Sequence, residues 1–189
     1  MIDPAASTLR ARALFCQALF ARFFCAAPPL LHAGATFTSR TTILADQDYA
    51  DALLLGIRDA RASIVCSFYL FKIGEGGNNQ PRRIAEELIR ARKRGVTVTV
   101  ILEKTGRDND NLDTDNRHTA ALLARGGVRV HFDSPRVTTH NKVVVIDNRH
   151  IYMGSHNLTQ AALRHNKELS VRIDSPGMAS ELLPFLEME

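Results

Sequence analysis

The 189-residue chain contains no tryptophan, only three cysteines and no uninterrupted apolar run long enough to cross a membrane. Cys16 and Cys25 lie in the first 35 residues, so Cys66 has no partner for a disulfide in the remainder of the chain. A membrane-spanning helix needs about 18 apolar residues, and the N-terminal apolar stretch is interrupted by Arg22 and by Pro28-Pro29. These absences exclude a fold held by internal disulfides and disfavour a membrane-spanning protein.

The chain also lacks a strong excess of charge of one sign. Its formal net charge is +4, from 24 Lys and Arg against 20 Asp and Glu, and its pI is about 9.2. Half of that excess lies in the first 35 residues, where Arg10, Arg12 and Arg22 face only Asp3. Mild basicity is compatible with a polyanionic partner but is by itself a weak indication of nucleic acid.

The first 35 residues have a composition that differs from the rest. Arginines precede an apolar run over 23–31, and Ala33-Gly34-Ala35 resembles the small-residue site at which leaders are cleaved. We therefore predict a leader over 1–35, a possible signal peptide, and one domain over 36–189. The protein is then expected in the periplasm or outside the cell, and otherwise in the cytoplasm. An amphipathic helix or a misassigned start remains the alternative for this segment.

After residue 36, short apolar runs alternate with segments of helical periodicity. This alternation predicts a single α/β domain with a mixed, largely parallel central sheet flanked by helices. We predict helices over 46–62, with Asp46 or Asp48 as the cap, over 81–95 and over 115–127. We predict strands over 41–45, 63–71, 96–103, 128–132, 140–147, 149–154 and 168–173. The polar stretch 108–116 is expected to be a loop, and a hairpin is expected at Asp147-Asn148.

The stretch Thr139–Asn157, THNKVVVIDNRHIYMGSHN, carries polar residues at positions that strand packing alone does not need. Because alternate residues of a strand share a face, His140 and Lys142 are expected on one side and Asp147 on the other. Gly154 is expected to permit a tight turn with unusual dihedrals. Ser155 and Asn157, again two residues apart, can then return to a common side.

An imidazole, an ammonium, a hydroxyl and an amide in one place suit a phosphate group. The lysine supplies charge, and the hydroxyl and amide supply neutral hydrogen bonds. A neutral histidine can attack phosphorus if a carboxylate bound to its other ring nitrogen fixes its tautomer. Glu168, which opens a predicted strand, is the carboxylate that we expect to orient His140.

Six of these residues form the pattern H-x-K-x4-D-x6-G-S-x-N, namely His140, Lys142, Asp147, Gly154, Ser155 and Asn157. This pattern resembles the HKD motif of the phospholipase D superfamily without a gap. The element N-x-E of that family has its counterpart in Asn166 and Glu168. The resemblance covers about residues 40–175, and in size and layout the chain is most similar to the compact single-motif bacterial nucleases of this type.

The resemblance implies hydrolysis of a phosphodiester through a covalent phosphohistidine on His140, with no metal and no cofactor. It implies that Lys142 and Asn157 bind the phosphate, that Ser155 supports this binding and that Glu168 orients the nucleophile. Asp147 and Gly154 also belong to the motif, but we interpret both as structural residues. Asp147 in particular is expected on the face opposite to His140.

The chain contains no second H-x-K element, which creates a geometric problem. In-line displacement needs an attacking group on one side of phosphorus and a proton donor at the leaving oxygen on the other. One His140 cannot occupy both sides. We therefore predict a homodimer whose two-fold axis passes through the active site, as in the family's single-motif nucleases.

These features predict a non-specific endonuclease that acts on DNA or RNA. The alternative is a phospholipase D or cardiolipin-type enzyme that acts on membrane lipid, which the absence of tryptophan makes less favourable. A non-catalytic binding module and a zinc site built from His140, His150 and His156 are further alternatives. The basic residues over 82–94 are interpreted as a solvated helix face, unless they flank the groove and bind a nucleic-acid backbone.

Overall fold

The structure is a computed structural model that describes residues 35–107 and 110–187. All but the last residue of the predicted leader therefore lie outside the described residues. Within the described residues the chain forms seven strands and five helices. The strands are β1 (Arg40–Ala45), β2 (Ser63–Phe68), β3 (Thr97–Leu102), β4 (Arg129–Phe132), β5 (Lys142–Ile146), β6 (His150–Gly154) and β7 (Leu169–Asp174). The helices are α1 (Asp48–Asp59), α2 (Gln80–Lys93), α3 (Asn111–Arg125), α4 (Gln160–Arg164) and α5 (Pro176–Glu187).

All seven strands form one sheet in the order β1-β7-β6-β5-β2-β3-β4. The prediction of an α/β domain with a mixed sheet is confirmed. The expectation that the sheet is largely parallel is wrong, because only the β2–β3 and β3–β4 pairs are parallel among the six pairs of described strands. The predicted hairpin joins β5 to β6. On this side of β2 lie four strands, β5, β6, β7 and β1, each antiparallel to its neighbour, where a β-α-β alternation suggested parallel ones.

Each face of the sheet carries its own apolar core. On one face the helices α1, α2 and α3 contribute Leu53, Leu88 and Leu123, which are fully buried against Val100 and Val144. On the other face α5 packs its apolar side on the alternate residues of the same strands, such as Val145 and Ile151. The strand period of two thus explains why β5 reads as a continuous apolar run: it is buried on both faces.

The third helix begins earlier than the sequence predicts. The stretch 108–116, expected to be a loop, contains the first six residues of α3, which starts at Asn111 with Asp110 as its N-cap. The buried positions among these residues are polar: Asp113 accepts from the backbone N–H of Thr105 at 2.7 Å, and Asn116 is fully buried. Polar residues on the inward face conceal the apolar period that would have revealed the helix.

The start of α1 also differs from expectation. Gln47 is its N-cap residue and makes no side-chain cap, so neither Asp46 nor Asp48 is the cap. Asp46 instead adopts a left-handed backbone conformation with φ of 49°, and its carboxylate accepts from the backbone N–H of Glu168. No helix among the described residues is long and apolar enough to cross a membrane.

Candidate active site

The topology gathers the chemically distinctive residues at one edge of the sheet. The parallel strands β2 and β3 end there, and the antiparallel strands β5 and β7 begin there, with Lys142 opposite Phe68 and Ser170 opposite Gly154. His140 lies two residues before the start of β5 and Glu168 directly precedes β7, so both lie at this edge. We call it the site edge.

His140 and Lys142 lie on the same side of the chain, as the sequence predicts. The Lys142 ammonium donates to the carbonyl oxygen of His140 at 3.0 Å. The ring of Tyr69, the residue after β2, contacts both side chains: its centroid is 4.6 Å from that of the His140 ring and 5.2 Å from Lys142 Nζ. Tyr69 was missed by the sequence analysis, where it lies within an apolar run; its position at the end of a central strand is the signal that could have identified it.

Lys142 is a buried cation, only 8% exposed. Burial lowers the pKa of its ammonium because the charged form loses water, and the carboxylate of Glu168 partly offsets this. A partly desolvated cation gains more from a bound anion than a hydrated one does. Lys142 therefore has the environment expected of a phosphate ligand.

Glu168 and Ser155 are brought together. The Ser155 hydroxyl donates to one oxygen of the Glu168 carboxylate, and Asn166 Nδ2 donates to the other at 3.1 Å. Ser155 Oγ also accepts from the backbone N–H of Leu169 at 3.0 Å. Among the described residues no hydrogen bond joins Glu168 to His140, so the orientation of His140 by Glu168 stays a prediction.

The backbone of Glu168 is fixed by the end of β1. Asp46 Oδ1 accepts from the Glu168 N–H at 2.9 Å, and the Glu168 carbonyl oxygen accepts from the Asp46 N–H at 3.0 Å.

His156 donates from Nε2 to the Asp46 carbonyl oxygen, so its Nδ1 accepts from the Ser170 hydroxyl at 2.7 Å. Its ring is fully buried and stacks on Tyr49 at 4.4 Å. Because burial lowers the pKa of His156, this histidine is a neutral structural residue.

Asn157 reaches the site edge through the segment that follows β2. Leu158 donates its N–H to the Leu70 carbonyl oxygen at 3.0 Å, while Tyr69 donates its N–H to the Asn141 carbonyl oxygen at 2.8 Å. One short segment therefore contacts the neighbours of both His140 and Asn157. Asn157 Oδ1 is buried without a hydrogen-bond partner among the described residues. A buried polar atom of this kind is costly and is typical of a functional site.

An open cavity of about 470 Å³ adjoins these residues. His140, Lys142 and Gly154 line one part of it. Asn141 and Ser170 line it as well, together with four apolar residues at the site edge of the face that α5 covers, Val143, Met153, Leu169 and Val171. We call these four residues the apolar shelf. Leu169 is 60% exposed, Met153 and Val171 are half-buried and Val143 is buried, so the accessible part of the apolar shelf is centred on Leu169.

The loop before His140 is held by Glu103, at the end of β3. Glu103 is 1% exposed, and its Oε2 accepts from the Thr139 N–H at 2.6 Å. Burial and the nearby carboxylates of Asp133 and Asp113 raise its pKa, which the bond from Thr139 opposes. Glu103 is a second residue that the sequence analysis did not single out.

Asp147 lies at the opposite edge of the sheet. It occupies the β5–β6 turn with φ of 53°, and it is separated from Lys142 by the whole of β5, about 16 Å at a rise of about 3.3 Å per residue. Its carboxylate accepts from the N–H groups of Arg61 at 2.9 Å, Ala62 at 2.7 Å and Ser63 at 3.0 Å. These contacts fix the start of β2 and leave Asp147 far from His140 and Lys142.

Gly154 ends β6 and does not have the unusual dihedrals that we expected, since its φ is not positive. Glycine is needed at position 154 because there is no space for a side chain. A Cβ at this position would overlap Ser170 and would lie 2.5 Å from the carbonyl oxygen of Leu169. Glycine therefore permits the close approach of β6 and β7 beside Glu168.

Two alternatives from the sequence do not match the geometry. His150 pairs with Ile146 at the far end of β5, so His140, His150 and His156 cannot form a zinc site. The described residues contain no cluster of His, Cys, Asp or Glu arranged to hold a metal. The last residues of the basic run, Arg90 to Arg94, lie at the far end of α2, about 20 Å along this 14-residue helix from its start, whereas Arg82 and Arg83 lie in its first turn. Arg94 there donates to the carbonyl oxygens of Ile57 and Arg58, so it closes the end of α1.

Comparison with known proteins gives the family. Residues 53–187 match the family described as cardiolipin synthase, PLD-like domain. The chain belongs to the phospholipase D superfamily. Nuc of Salmonella typhimurium, a solved phospholipase D family member, superposes with a TM-score of 0.66 at 25% identity, covering 80% of this chain and 93% of that one.

Two relatives of this phospholipase D-like chain carry different names. The virion nicking-joining enzyme of Monkeypox virus is 30% identical over 129 residues, 66% of this chain and 28% of that protein. The phospholipase D of Rickettsia conorii is 33% identical over 100 residues, 53% of this chain and 47% of that protein. The chain thus spans less than half the length of either relative.

Proposed function

We propose that the protein hydrolyses phosphodiester bonds of nucleic acid through a covalent phosphohistidine on His140. The observation that carries the proposal is the gathering of His140, the buried cation Lys142 and the side-chain amide of Asn157 at one edge of the sheet, beside an open cavity. A nucleophile, a charge and a polar amide are the groups that phosphoryl transfer requires.

The proposed reaction has two steps. A ring nitrogen of His140 forms a bond to phosphorus while the bond from phosphorus to the leaving oxygen breaks, and a protonated second histidine gives that oxygen its proton. Water then attacks the phosphohistidine, the now neutral second histidine takes a proton from that water, and the bond to His140 breaks. A phosphomonoester and the free imidazole result, with the proton balance restored.

We propose that the second histidine is His140 of a second copy of the chain. Each copy supplies one H-x-K element, and two-fold symmetry brings the two imidazoles to opposite sides of phosphorus. The apolar shelf adjoins His140, so a partner that covers it also completes the site. Leu169→Arg should give a monomer with little activity. Leu55→Arg, on an exposed residue of α1, should leave both the dimer and the activity unchanged. An active monomer by light scattering would contradict the dimer.

A basic rim favours nucleic acid over lipid. Lys104 and Arg107 follow β3, Arg136 precedes β5, and the two loops meet where Gly106 lies against Pro135. In the described part of the chain, the side chains of these three cations make no ion pair. Free cations around the site suit a nucleic-acid backbone.

The alternative is a lipid phosphodiesterase with the same site, which the name of the Rickettsia relative and the description of the family favour. The two are separated by assaying DNA, RNA and cardiolipin vesicles in parallel. Lys104→Ala with Arg136→Ala should weaken DNA binding and lower its salt slope by about 1.8, at about 0.9 per phosphate contact. Lys93→Ala with Arg125→Ala removes the same charge at the far edge and should change neither the DNA affinity nor its salt slope. Cleavage of vesicles alone would establish the lipid alternative.

The catalytic assignment is tested with His140→Ala and with chelation. His140→Ala should abolish cleavage of all these substrates, and His131→Ala, on an exposed histidine of β4, should not. Wild-type cleavage should survive EDTA, because the proposed reaction uses no metal. Loss of cleavage on chelation, restored by a divalent metal, would contradict the proposal.

A further inference from the structure

The imidazole of His140 is exposed at the end of a loop, and among the described residues it makes no hydrogen bond through its ring nitrogens. The contact that limits its rotation is the ring of Tyr69. The two ring planes are inclined by 61° with centroids 4.6 Å apart, an edge-to-face arrangement. An attacking imidazole must be held in one orientation before the substrate binds, since a small displacement lowers the rate strongly.

Tyr69 is itself held firmly. Its N–H donates to the Asn141 carbonyl oxygen at 2.8 Å, which extends the β2–β5 pairing by one residue toward His140. Its carbonyl oxygen accepts from Asn116 Nδ2 at 3.0 Å, and Asn116 is fully buried. The ring therefore projects from a fixed backbone and can serve as a rigid support.

The same ring contacts the phosphate-binding cation. Lys142 Nζ lies 5.2 Å from the ring centroid, within the range of a cation–π interaction. The ammonium also donates to the carbonyl oxygen of His140. Tyr69 thus contacts both members of the H-x-K pair and fixes their relative position.

We propose that Tyr69 is a positioning residue that holds the imidazole of His140 and the ammonium of Lys142 in the arrangement needed for attack on phosphorus. This inference rests on the proposed function. A role in core packing is the competing explanation, but Tyr69 is only half-buried and belongs to neither of the two buried cores of the sheet.

Steady-state kinetics on a small phosphodiester separate the two explanations. Tyr69→Phe keeps the ring and should retain the wild-type kcat. Tyr69→Ala should lower kcat by about 10- to 100-fold with little change in KM, because misplacement by about 1 Å can cost about 100-fold in rate. Tyr69→Leu keeps apolar bulk without a ring and serves if the alanine variant does not fold. A kcat for Tyr69→Leu equal to that of Tyr69→Phe would overturn the proposal.

A second measurement does not depend on activity. The order parameter of the His140 ring, followed by NMR with 13C-labelled histidine and assigned by its loss in His140→Ala, reports the mobility of the imidazole. It should fall in Tyr69→Ala or Tyr69→Leu and stay high in Tyr69→Phe. An unchanged order parameter would refute the positioning role even if the protein cleaves phosphodiesters. A lowered one without any cleavage would refute the proposed function alone.

Discussion

Replacing Asp147 tests whether a residue of the shared motif acts through structure or through chemistry. Its carboxylate accepts three backbone N–H groups, from Arg61, Ala62 and Ser63, at the start of β2. Its backbone has a φ of 53°, which asparagine tolerates and alanine does not tolerate well. We therefore consider Asp147→Asn and Asp147→Ala together.

The magnitude follows from the contacts. Hydrogen bonds to charged groups contribute about 1.5 to 3 kcal/mol each, and the exposed donors of Arg61 and Ala62 can bind water instead, so we take about 1 kcal/mol for each of the three. The left-handed conformation adds about 1 kcal/mol for alanine. Asp147→Ala should lose about 4 kcal/mol, equivalent to a Tm lower by roughly 10 °C in a domain of this size. Asp147→Asn should lose about half of this free energy.

The pH dependence of the unfolding free energy shows whether the negative charge of Asp147 stabilises the fold. Burial acts to raise the pKa of Asp147, but the three N–H donors outweigh it and the pKa is lowered. A carboxylate whose pKa is lowered on folding stabilises the protein above its unfolded pKa of about 3.9, and this stabilisation is lost as the pH falls through the folded value. The difference in unfolding free energy between wild type and Asp147→Asn should thus be complete above about pH 5 and should disappear in acid.

Urea unfolding from pH 3 to pH 8, with kcat measured on the folded variants, is the assay. Asp59→Asn removes an exposed carboxylate at the end of α1 and should change stability by less than about 0.5 kcal/mol. Both asparagine variants should keep the wild-type kcat. A folded Asp147→Asn with normal stability and a kcat reduced by about 100-fold would refute the structural interpretation.

Two further predictions concern the site edge. Gly154→Ala should destabilise the domain by about 2 to 4 kcal/mol in urea unfolding, because the new Cβ meets backbone atoms of Ser170 and Leu169. An unchanged unfolding midpoint would show that β6 and β7 can separate freely. Lys142→Met should raise KM for a small phosphodiester at least about tenfold. Its Tm should stay constant or rise, because the substitution removes a buried cation. A lower Tm with an unchanged KM would contradict the role of Lys142 as a phosphate ligand.

The sequence was most informative where a strand period and a fixed motif coincide. The common side of His140 and Lys142 follows from the alternation of side chains, and the hairpin between β5 and β6 follows from its turn residues. The separation of Asp147 from His140 and Lys142 follows from the length of β5. These features are local, so neighbouring residues determine them.

The features that were missed depend on contacts between distant segments. Asp46 resembles a helix cap in sequence, yet its carboxylate binds Glu168, 122 residues away. Asp113 and Asn116 resemble loop residues because their hydrogen bonds to the ends of β2 and β3 are formed only in the folded chain. Tyr69 looked like part of an apolar strand, although its ring contacts His140. No periodicity within a short window carries this information.

Chemical trapping of the covalent intermediate is the direct test of whether His140 is the nucleophile. Wild-type protein is mixed with a phosphodiester, quenched in base within one turnover, digested and analysed by mass spectrometry. We predict a phosphoryl adduct on His140 that is stable in base and lost in acid. Turnover with no adduct on His140, or with an adduct on another residue, would contradict it.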